Sequence, residues 1–100
     1  MAHVAEMTDA RNRMNEINRD ARELAEHKEV YEMVRDELRP ILRRTDLLVK
    51  QQNQDEAYMP GIISPAALEL DKIRPLRLFL IDLLHSTRSA MAEIEDRMSA

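Results

Sequence analysis

An all-α fold is what this sequence predicts, and three observations predict it. The commonest residues, Ala, Leu, Glu, Arg and Met, favour helix, whereas β-branched and aromatic residues are scarce. One glycine and four prolines leave few places for turns in 100 residues. Apolar side chains recur at spacings of three and four over long stretches, the period of a helix face. The architecture expected is a long helical hairpin with proline kinks, cut into three or four helical segments and completing a bundle by oligomerisation. It is read as one domain over residues 1–100: a helix over about 5–39, a kink at 40, a helix over about 41–56, a loop at 57–64, and a helix over about 65–98 with a kink near 75.

The first helix announces itself by a heptad stripe of Met7, Ala10, Met14, Ile17, Ala21 and Leu24. Lys28 interrupts it, and the apolar set then widens to Val30, Tyr31, Met33, Val34 and Leu38. A stutter is expected there, with a second packing partner for the later half. Pro40 has no N–H for the carbonyl of Asp36 and disfavours α for Arg39, so the helix must bend or break. Ile41, Leu42, Leu47, Leu48 and Val49 carry the next segment until the polar run 51–54.

The loop and the start of the last helix rest on local chemistry. Pro60-Gly61 suits the two central positions of a type II turn, because glycine accepts the positive φ. Ser64 is an N-cap followed by Pro65 at the first helical position, and Ile63 with Leu68 would form a hydrophobic staple. The stripe of this last helix runs through Ile73, Leu76, Leu80, Leu83 and Leu84, Thr87, Met91, Ile94 and Met98.

Residues 76–84 are the most apolar window. Leu76, Phe79, Leu80, Leu83 and Leu84 occupy one arc of about 140°, and Leu78 and Ile81 fall outside it. One neighbouring helix cannot cover such a segment. A helix of about 35 residues, roughly 50 Å long, would also overhang a compact globule of this size. On both counts a partner is needed, either a second copy (dimer or tetramer) or another protein. The expected contact residues are Met7, Met14, Ile17, Leu24, Leu76, Phe79, Leu80, Ile81 and Leu84. The expected function is a non-enzymatic helical interaction module: an assembly factor, chaperone, adaptor or inhibitor acting through apolar helix faces.

Charge and chemistry narrow the alternatives. At a net charge of −4 a general affinity for nucleic acid or an anionic membrane surface is not expected. No run approaches the ~20 apolar residues of a membrane span. Met-Ala-His-Val-Ala-Glu-Met at the N-terminus lacks the basic and apolar regions of a secretory signal, so the cytosol, or a host's cytosol, is the expected location. Thiolate metal sites and disulfides need cysteine, and there is none. Asp82–His85 and Glu23–His27 have spacings found in metal-binding helices, but carboxylate-bridged sites need two acid-x-x-His motifs plus further inward glutamates. No metal or other cofactor is expected. Ser86 and Ser89 near His85 imply no nucleophile–base pair, since residues one apart on a helix face different ways.

Arg35, Arg39 and Arg43, with Arg44 beside them, form a basic ladder that an anionic partner could contact. Two alternatives use it. One is a nucleic-acid-binding regulator. The other is a small dimeric enzyme with an arginine-lined anionic pocket. In length, long first helix and expected dimer the chain is similar in shape to small all-helical enzymes of the chorismate mutase type, but its arginines do not fall on that family's pattern.

Overall fold

A computed structural model describes residues 2–100, with side chains from Ala5 onward. Two helices account for almost all of it: α1, Ala2–Tyr58, and α2, Pro65–Ser99. The chain is a long helical hairpin, and no strand is found among the described residues.

Pro40 and Pro75 lie inside continuous helices, so neither divides the chain into a third or fourth segment. The reason is where they sit. Both are exposed, so the carbonyls of Asp36 and Asp71, which lose their N–H partners to the prolines, can turn to water instead. Proline in a helix interior costs about 3 kcal/mol, and the flanking turns carry that cost.

The connection is short because its chemistry is specific. α1 closes with the Met59 N–H donating to the Asp55 carbonyl at 2.9 Å, and a turn follows in which the Ile62 N–H donates to the Met59 carbonyl at 3.4 Å. Gly61 sits at φ +84°, the value a type II turn requires at its third residue. α2 then starts as expected: the Ser64 hydroxyl oxygen accepts from the Ala67 N–H at 3.1 Å. The staple is not closed, however, since Ile63 and Leu68 are both largely exposed.

The chain divides into two compact units, Glu32–His85 and Met1–Tyr31 with Ser86–Ala100. In Glu32–His85 the core is Val34, Leu38 and Leu80, with Ile41, Ile81, Leu83 and Leu84 packed against it; Leu48 and Ala66 are buried nearer the turn. In the other unit Ile94 and Thr87 are buried, and Leu24, His27, Tyr31 and Met91 are partly so. There the Arg97 guanidinium donates to the buried Asp20 carboxylate at 3.3 Å and lies 3.7 Å from Glu23.

The inward positions follow a strict alternation of four and three. In Glu32–His85 they are 34, 38, 41, 45, 48, 52 and 55 on α1 and 66, 70, 73, 77, 80 and 84 on α2, with 67, 69, 81 and 83 partly covered beside them. In the other unit they are 20, 24, 27 and 31 on α1 and 87, 91 and 94 on α2, with 23 and 90 beside them. This is the seam of a coiled-coil pair. It corrects the stutter expected near Lys28: burial in that unit steps through 20, 24, 27 and 31 without a break. A hydrophobic pattern conceals that phase, because Asp20, His27, Thr45, Gln52 and Asp55 occupy seam positions. Thr45 fits by donating its hydroxyl to the Ile41 carbonyl at 2.8 Å.

Candidate interaction surface

Arg44 and Glu69 form a charge-assisted pair at 2.7 Å, which marks one flank of Glu32–His85 as common to both helices. Side chains sharing that flank follow from the helical period. On α1, Met33 lies four residues before Glu37, itself seven before Arg44, and Leu47 lies three after Arg44. On α2, Leu76 and Leu83 follow Glu69 by one and two heptads, and Phe79 stands one turn beyond Leu76. Met33, Leu47, Leu76 and Phe79 are 56, 59, 50 and 62% exposed. Single exposed apolar residues need no explanation, but a rank of them on one flank does.

The segment 76–84 is thus split between two environments. Leu80 is buried, and Ile81, Leu83 and Leu84 are half-buried against it. Leu76, Leu78 and Phe79 point outward. Of the nine expected contact residues, Leu80, Ile81 and Leu84 pack in the core of Glu32–His85, and Leu24 is half-buried in the other unit. Met7, Met14 and Ile17 are exposed.

Those last three lie on an uncovered stretch. Every residue from Ala5 to Arg19 is exposed, and the ion pairs that join the two helices in that unit run from Arg97 to Asp20 and Glu23. Ala10, Met14 and Ile17, with Glu6, Asp9 and Arg13, line a shallow groove made by α1 alone. A second apolar surface lies at the turn, where Tyr58, Met59, Ile62 and Ile63 are 60–90% exposed. Sequence pattern assigns that loop no role, since loops are expected to be polar; the local run Ile62-Ile63 is the one signal it offers.

The arginines of the ladder separate. Arg44 is taken by Glu69, and Arg35 lies 3.6 Å from its exposed neighbour Asp36. Arg39 and Arg43 form no ion pair among the described residues and are exposed. Two other arginines, Arg74 and Arg77, line a cavity of about 150 Å³ with Thr45, Val49, Gln52, Leu70 and Ile73. Pattern alone does not find them, because Arg77 at a seam position looks like an interruption and Arg74 like one more surface charge.

Among the described residues no group of three His, Asp or Glu side chains could hold a metal ion. No helix there is long and apolar enough to cross a membrane. No protein-family model, no curated protein and no solved structure matches the chain.

Proposed function

We propose that this protein is a non-enzymatic helical interaction module, an assembly factor or adaptor in kind, that docks the apolar flank of Glu32–His85 against a second copy and so completes a helical bundle. One observation carries the reading. Within Glu32–His85, Met33, Leu47, Leu76 and Phe79 share one flank and are 50–62% exposed, a rank of apolar side chains of the kind that marks an interaction surface. A second copy is favoured because the flank pairs an apolar centre with a mixed-charge edge of Glu37, Arg44, Glu69 and Lys72, which a two-fold-related copy can match.

Light scattering on the eluting protein, over a hundredfold range of concentration, tests this. A mass that is a multiple of 11.7 kDa at the upper end supports the reading. A well-folded, soluble monomer throughout overturns self-association and leaves a different protein as the occupant.

A further inference from the structure

The opposite flank of Glu32–His85 differs in chemistry. Val49 and Arg74, each five residues beyond Arg44 and Glu69, stand across the seam from the apolar flank. Arg77 occupies a seam position and is partly buried. Its Nε is sealed from solvent and has no hydrogen-bond partner. A buried donor left unpaired is costly, and such groups in native proteins normally meet water or an ion. Arg74 lines the same cavity, so two arginine side chains border one small space. Neither forms an ion pair among the described residues, although Asp46 and Asp71 lie close in sequence to Val49 and Arg74. The Thr45 proton is committed to the Ile41 carbonyl, which leaves the Gln52 amide as the neutral donor at the wall. Val49, Leu70 and Ile73 supply the apolar remainder, lowering the local dielectric and strengthening any charge pairing inside.

We propose that this cavity binds a small oxyanion, a phosphate or carboxylate group, between Arg74 and Arg77 with Gln52 as a further donor. Guanidinium is well matched to such a ligand, because its fork meets two oxygens at once and it stays charged at all working pH. Oxyanion binding here does not depend on self-association, because it concerns the other flank and a different class of ligand.

The test is a titration of the full-length protein with inorganic phosphate, and separately with acetate, at ionic strength held constant with chloride. The readouts are melting temperature and the NMR signal of the Arg77 Nε–H. The expected result is a saturable rise in melting temperature together with a shift of that signal. A response to phosphate alone assigns a phosphate site; a response to both assigns a general oxyanion site that a carboxylate side chain could also fill. Arg74→Gln, at an exposed position, should fold normally and weaken binding about tenfold or more, the loss expected for one charge-assisted hydrogen bond. Absence of a saturable response, or one unchanged in Arg74→Gln and Arg77→Gln, overturns the proposal.

Discussion

Phe79 and Leu80 are adjacent in the chain but should fail in opposite ways when replaced. Leu80 is 5% exposed among Val34 and Leu38. Leu80→Ala removes buried methyl groups and leaves a cavity, at a typical cost of about 2–5 kcal/mol. A core this small can partly collapse, so about 2–3 kcal/mol is expected. Phe79 is 62% exposed, and an aromatic side chain buries roughly 150–250 Å² when fully covered. Roughly 90–150 Å² therefore stays open, and covering it at about 25 cal/mol per Å² is worth ~2–4 kcal/mol per copy as an upper figure. Phe79→Asp should thus leave the folded monomer within about 0.5 kcal/mol of wild type, yet weaken association at least roughly 30-fold. Urea unfolding followed by circular dichroism at two protein concentrations, beside light scattering, separates the effects. Leu80→Ala lowers the midpoint at both concentrations. Phe79→Asp lowers it only where the wild type is associated. If Phe79→Asp assembled like the wild type, the apolar flank would not be the interface, and exposure would be no guide to binding in this chain.

Three smaller perturbations test the local physics. Ser64→Ala removes the acceptor of the Ala67 N–H and should cost about 1 kcal/mol, read as a lower urea midpoint; no change would mean that water replaces the cap. Gly61→Ala meets no atom within 4 Å at its new Cβ, yet φ is +84°, so any loss, about 1 kcal/mol, is backbone strain alone; a variant as stable as wild type would mean that the turn relaxes. Asp20→Leu replaces a buried carboxylate at a seam position, and its partner Arg97 is 53% exposed at the side chain and so remains hydrated. A gain of about 1 kcal/mol is expected, and a fall in the midpoint would show that the pair with Arg97 holds the end of α2 in place.

The parts of the fold that can be read from the chain are those governed by nearest neighbours. Helix over nearly the whole length follows from composition and period. The turn follows from Pro60-Gly61, where a single positive φ needs glycine, and the start of α2 from Ser64-Pro65, where one side-chain oxygen meets one orphan N–H. These are interactions within four residues, and no distant contact is needed to choose among them.

What needed the tertiary structure was the choice of faces. Met7, Ala10, Met14 and Ile17 make the tidiest heptad in the chain and yet lie exposed. The covered positions run instead through Asp20 and His27 in one unit and Thr45 and Gln52 in the other, polar residues that a hydrophobic stripe passes over. Asp20 is held by Arg97, distant in sequence, and Thr45 by the Ile41 carbonyl of its own helix. Residues 76–84 are apolar around more of the helix than one neighbouring helix covers, and the covered part cuts across the expected arc: Ile81 from outside it packs in the core. The pairing of α1 with α2 put Leu80 and Leu84 inward and left Leu76 and Phe79 outward. It likewise drew Arg44 to Glu69 and out of the ladder, and set Arg74 and Arg77 around one cavity. Local sequence sets which segments are helical, since that depends on backbone and neighbours; which face is core and which is free to bind depends on what packs across the hairpin.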